Sequence, residues 1–97
     1  VNIDNDMTPH ATVIKVSAPD RPGLLSEIAG VFDKYSLNID SAYIATESYQ
    51  VVDTFYVTDL ETNKLKDRGK LKMLQEELLN TILAQLPADL TENMENQ

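Results

Sequence analysis

The spacing of apolar and polar positions changes period several times along the chain, and each change marks an element. Val1-Asn2-Ile3-Asp4 alternates apolar with polar and predicts a short strand, followed by a turn-like stretch from Asn5 to Pro9. Residues 11–17, ATVIKVS, are rich in β-branched side chains and predict a second strand, with Ile14 and Val16 on one face and Val13 and Lys15 on the other. Pro19-Asp20-Arg21-Pro22-Gly23 breaks that pattern. The period then becomes helical over residues 22–35, where Leu24, Leu25, Ile28, Ala29, Phe32 and Tyr35 share a face. Pro22 suits the first helical position, where its missing N–H costs nothing.

Alternation returns over residues 37–46, with Leu37, Ile39, Ser41 and Tyr43 opposing Asn38, Asp40, Ala42 and Ile44. A polar turn, Glu47 to Gln50, leads into a strand over 51–58. Its two faces are nearly balanced: Val51, Phe55 and Val57 share a side with Asp53, whereas Val52 and Tyr56 share theirs with Thr54 and Thr58. After a polar connection, residues 70–86 predict a helix whose stripe holds Leu71, Leu74, Leu78 and Ile82 beside Leu79, Leu83 and Leu86. Pro87 ends it, and residues 87–97 predict an acidic flexible tail.

The order (β)βαββα predicts an α+β sandwich of the ferredoxin-like kind over residues 1–86, a small antiparallel sheet with two helices on one face. Nothing strand-like follows the second helix. Residues 1–4 therefore take the edge place of the usual last strand, antiparallel to residues 11–17.

Charge narrows the partners. The 97 residues hold sixteen acids and eight bases, a formal net charge of −8, which argues against nucleic acid and against an anionic membrane surface. There is no cysteine and a single histidine, His10, so neither a thiolate metal site nor a His cluster is available, and no cofactor is implied. No apolar run approaches the roughly 18 residues of a membrane span and no signal peptide is visible, which predicts a cytoplasmic protein. A first residue of Val1 suggests either a domain cut from a longer polypeptide or a processed N-terminus.

Three blocks carry a family resemblance: Asp20-Arg21-Pro22-Gly23-Leu24-Leu25 after a strand, Leu37-Asn38-Ile39-Asp40-Ser41-Ala42, and Val52-Asp53-Thr54-Phe55-Tyr56-Val57-Thr58-Asp59. In this order and spacing they resemble the ACT domain, a small regulatory module that senses amino acids in many metabolic enzymes. The DTFYVTD run and the leading VNIDN are especially similar to ACT domains of bacterial PII-protein uridylyltransferases and of plant ACT-repeat proteins. The resemblance spans roughly residues 1–83. It implies a ligand held at a dimer interface, between the first loop and the start of the strand that Asn38 and Asp40 open. The serine-binding members have polar ligand residues where Ala18 stands here.

The residues of the first loop have chemistry of their own. A tight strand-to-helix turn leaves the N–H groups of Gly23, Leu24 and Leu25 without intrahelical partners, and these donors with the helix dipole suit a carboxylate. Asp20 beside them offers the opposite charge to an ammonium, and together they match the two ends of a free amino acid. The structural alternative is that Asp20 or Arg21 caps the helix and Gly23 serves the turn.

Other features are weaker. Lys64, Lys66, Arg68, Lys70 and Lys72 do not share one helical face and read as a solvated connection. Phe55-Tyr56 on a strand evokes base stacking, but no basic sheet surface accompanies it. Asp53 and Asp59 share a strand face without a nucleophile or metal ligand beside them, so no catalytic site is predicted. The favoured expectation is a non-enzymatic regulatory domain binding an amino acid, with glutamine and nitrogen status implied by the uridylyltransferase resemblance. It pairs as a homodimer or with another ACT unit in its own chain. The alternative is a ligand-free dimerisation module.

Overall fold

In the computed structural model, which describes residues 1–84, four antiparallel strands form one sheet in the order β1-β2-β4-β3. The strands are β1 (Asn2–Asp4), β2 (Thr12–Pro19), β3 (Asn38–Glu47) and β4 (Gln50–Thr58); the helices are α1 (Leu24–Lys34) and α2 (Arg68–Ala84). The helix end expected at Leu86 and Pro87 and the tail beyond it lie outside the described residues. β1 occupies the predicted edge, with Ile3 opposite Ile14 on β2.

The helix-facing side of the sheet carries Ile14, Val16 and Ala18 from β2 and Val51, Phe55 and Val57 from β4. Against them pack Leu24, Ile28, Val31 and Phe32 of α1 and Leu74, Leu78 and Ile82 of α2. Phe32 meets Phe55 edge-to-face at 5.1 Å between ring centroids, the geometry that aligns positive ring edge with negative ring face. This settles the balance on β4: the face bearing Asp53 is the buried one. Lys34 and Glu77 form an ion pair between the two helices.

Several predicted boundaries are corrected. Pro22 is not the first helical residue; Pro22 and Gly23 form a turn, and α1 starts at Leu24 because Gly23 adopts a left-handed φ of 82° at the N-cap. The helix closes on a Schellman motif, with Ser36 N–H donating to Asp33 O and Leu37 N–H to Phe32 O. Ser36 therefore stands at φ 58°, a place usually given to glycine. α2 starts at Arg68 rather than Lys70, since Asp67 Oδ1 accepts the N–H groups of Gly69 and Lys70. Its buried stripe is narrower than predicted: Leu79 and Leu83 are more than 40% exposed, because only the Leu74–Leu78–Ile82 row faces the sheet. β2 runs on through Pro19, which pairs with Gln50.

The largest departure is in β3. All ten of its residues are exposed, and a bulge at Asp40 resets the alternation. Ile39 lies opposite Val57, but Ser41 lies opposite Tyr56, so Ala42, Ile44 and Thr46 follow Ile39's face and Ser41 and Tyr43 leave it. The single extra residue thus overturns the predicted grouping of Ile39 with Ser41 and Tyr43.

Candidate functional site

The β2–α1 connection folds as it does because two opposite backbone demands meet there. Asp20 N–H is anchored to Tyr49 O at the β3–β4 hairpin tip (2.9 Å), and Gly23 then turns the chain into the helix. The hairpin itself is a two-residue turn with Ser48 at φ 48° and Tyr49 at φ 70°, the primed geometry that matches strand twist. Helix entry and hairpin tip are thereby held side by side.

Between them lies a cleft of about 500 Å³ lined by Asp20, Arg21, Gly23, Leu24, Leu25, Ser26 and Ala29 from the helix entry and by Ile44, Thr46, Val51 and Asp53 from β3 and β4. Five of the seven predicted site residues thus converge. No side chain caps α1, which removes the capping alternative for Asp20 and Arg21. Arg21 instead binds Glu27 at 2.5 Å, so its charge is largely neutralised within the turn. Leu24 N–H reaches Arg21 O at 3.4 Å and Glu27 N–H reaches Gly23 O at 3.1 Å. The N–H groups of Leu25 and Ser26 take no backbone acceptor among the described residues, leaving donors at the positive end of the helix.

Asn38 and Asp40 do not join this cleft within one chain. They stand at the start of β3, whereas Ile44 and Thr46 line the cleft near its end; six residues of strand separate Asn38 from Ile44 by about 20 Å. Both are exposed, and Asn38 Nδ2 donates to Asp59 O at 3.4 Å.

The residue that sequence reasoning left out of the site is Asp53. It is 2% exposed, and its Oδ1 has no hydrogen-bond partner among the described residues. Burial pushes its carboxyl above the ordinary aspartate range; the Ala45 backbone N–H opposes this, and the charge of Asp20 reinforces it. The sequence does hold a signal: a carboxylate on the Val51-Phe55-Val57 face has to be buried if that face is the core. Among the described residues no three His, Asp or Glu side chains gather as metal ligands, and no helix is long and apolar enough to cross a membrane.

Residues 7–85 match the family model described as the ACR family N-terminal ACT domain. The chain belongs to the ACT-domain family. It is 39% identical over 82 residues to a bifunctional uridylyltransferase/uridylyl-removing enzyme of Pseudomonas fluorescens (strain SBW25), a match covering 84% of this chain and 9% of that protein. The crystal structure of formyltetrahydrofolate deformylase from Burkholderia mallei ATCC 23344 superposes with a TM-score of 0.59 at 16% identity, over 75% of this chain and 24% of that one. That likeness concerns the fold alone. The fold, the family and the kinship with a uridylyltransferase's ACT region all agree with the reading of the three motif blocks.

Proposed function

We propose that this ACT domain is a regulatory module that binds a free amino acid in the cleft between the α1 entry and the β3–β4 hairpin. The observation that carries the reading is the juxtaposition of free N–H donors at Leu25 and Ser26 with the Asp20 carboxylate in one cleft. The ligand's carboxylate lies on the helix N-terminus and its ammonium faces Asp20. Kinship with a uridylyltransferase makes an enzyme of nitrogen metabolism in the cytoplasm the natural host and glutamine the first ligand to try. Asn38 and Asp40 enter the site in this reading only if a second copy brings the start of its β3 alongside.

A thermal-shift panel of the twenty amino acids tests this, with Asp20→Ala as control. At about 100 times the dissociation constant, binding contributes about 2.7 kcal/mol, a rise of roughly ten degrees or more for a domain this small. No shift with any amino acid at millimolar concentration rejects the sensor reading. A shift that Asp20→Ala leaves unchanged removes Asp20 from the site.

The second reading, a ligand-free dimerisation module, is favoured by the exposure of every residue of β3 at a sheet edge.

A further inference from the structure

Asp53 is a buried carboxylate that the fold satisfies only in part, through the backbone N–H of Ala45. It sits at the inner wall of the cleft, 2% exposed, with Oδ1 unpartnered among the described residues, and no basic side chain lines the cleft except Arg21, which is held by Glu27. Buried carboxylates are normally paired or hydrogen-bonded, because an isolated charge is strongly disfavoured away from water. The second carboxylate on the cleft, Asp20, is close enough for its charge to be felt at Asp53. Two acids facing one space with no cation between them describe a receptor for a cation. The rest of the wall is mostly apolar, formed by Leu24, Leu25, Ala29, Ile44 and Val51, with the hydroxyl side chains of Ser26 and Thr46 among them.

We infer that Asp53 is the specificity-determining residue of the cleft, and that it seats the primary ammonium of a ligand whose body is a short aliphatic chain. The inference rests on the reading of this cleft as a ligand site and refines it: the ammonium goes inward to Asp53, with Asp20 at the mouth. An ammonium there donates to Oδ1 and screens the two carboxylates from each other. The apolar wall accepts an aliphatic body better than a polar amide. Anions are repelled unless they carry an amine of their own.

Three related compounds test this by calorimetry and thermal shift at pH 8: leucine, 3-methylbutylamine (leucine without its carboxylate) and 4-methylpentanoate (leucine without its ammonium). Leucine and the amine are expected to bind and the carboxylate alone is not. Asp53→Asn should weaken the amine at least tenfold, whereas Asp20→Asn weakens it less. Should Asp53→Asn fail to fold, the carboxyl carbon resonance of Asp53 in the unaltered protein answers instead, and it should move on addition of 3-methylbutylamine. Unchanged amine affinity in a folded Asp53→Asn protein, an unmoved resonance at saturating amine, or binding of 4-methylpentanoate without the amine each overturns the inference. The two readings fail separately. If glutamine or another amino acid binds while leucine and the amine do not, the role given to Asp53 falls and the sensor stands. If the amine binds through Asp53 and no amino acid binds, the amino-acid sensor falls and the role of Asp53 stands.

Discussion

Thr12 donates its hydroxyl to Asn5 Oδ1 at 2.5 Å and with the same oxygen accepts the N–H of Leu65 at 2.9 Å. Asn5 Nδ2 in turn donates to Leu65 O at 2.8 Å, and Lys64 reaches Asn5 O. Three segments far apart in sequence are thus tied at one buried hydroxyl: the end of β1, the start of β2 and the link into α2. Because Thr12 is fully buried, removing its hydroxyl strands two polar groups at once. Thr12→Val should cost about 1–3 kcal/mol in urea unfolding, without changing the shape of the side chain. A loss below a few tenths of a kcal/mol would show that this junction does not hold the N-terminal strand in place.

Two backbone positions with positive φ make opposite predictions. Gly23 stands at φ 82°, and a Cβ added there would meet nothing within 4 Å, so the cost of Gly23→Ala is conformational rather than steric crowding with neighbours. It should destabilise by about 1–2 kcal/mol. Ser36 stands at φ 58° in the position where helices favour glycine, and Ser36→Gly should stabilise by up to about 1 kcal/mol. Paired denaturation curves check both; equal signs would refute the backbone argument.

These positions also mark where the sequence is legible. The periodicities place all six elements and the edge role of residues 1–4, because hydrophobic spacing is imposed by the sheet and by the helices packed on it. Gly23 announces the turn, but Ser36, Ser48 and Tyr49 take left-handed backbone without glycine or asparagine to signal it. The bulge at Asp40 has no compositional mark either, so alternation alone misassigns the faces of β3 beyond Ile39. Asp67 resembles one more charge in a polar link until its contacts show it capping α2. In the site, the loop from Asp20 to Leu25 is readable because a strand-to-helix turn exposes N–H donors wherever it occurs. Asp53 is not, since its role depends on which face of β4 is buried, and the pattern of that strand alone leaves the choice open.

Asp53 also predicts a pH dependence. Burial raises its folded pKa above the 3.8 expected of the free side chain, with the Asp20 charge acting in the same direction. A raised folded pKa means the native state holds this proton more tightly, so the associated stability is complete below about pH 3.8 and is lost as pH rises through the folded pKa. Asp53→Asn carries no such titration. The stability of Asp53→Asn relative to the unaltered protein should therefore increase as pH rises above about 3.8 and level off once the raised folded pKa has been passed. Urea unfolding at intervals across that window measures it, and the difference cancels the contributions of the other carboxylates. A gap that narrows with rising pH would reverse the sign of the argument.

The last prediction concerns β3. Its ten residues lie at the sheet edge, all are exposed, and Ile39, Tyr43 and Ile44 add apolar surface beside unpaired backbone groups. Such an edge invites another strand, and natural sheets protect it with lysine, proline or a bulge that twists it away. β3 contains neither lysine nor proline, and its bulge at Asp40 lies near its start, leaving Ser41–Glu47 regular against β4. A second copy adding its own β3 antiparallel would extend the four strands to a continuous sheet across both chains. It would also bring the start of one β3 toward the end of the other, carrying Asn38 and Asp40 toward the partner's cleft. Sedimentation equilibrium at micromolar concentration should accordingly give about twice the chain mass. Ala42 stands in a non-hydrogen-bonded pair with Phe55, so its N–H faces the open edge. Ala42→Pro removes that donor without breaking the β3–β4 ladder and should return the mass to that of one chain while circular dichroism stays native. A single-chain mass for the unaltered domain would refute this pairing, and a dimer that survives Ala42→Pro would place the contact on a surface other than β3.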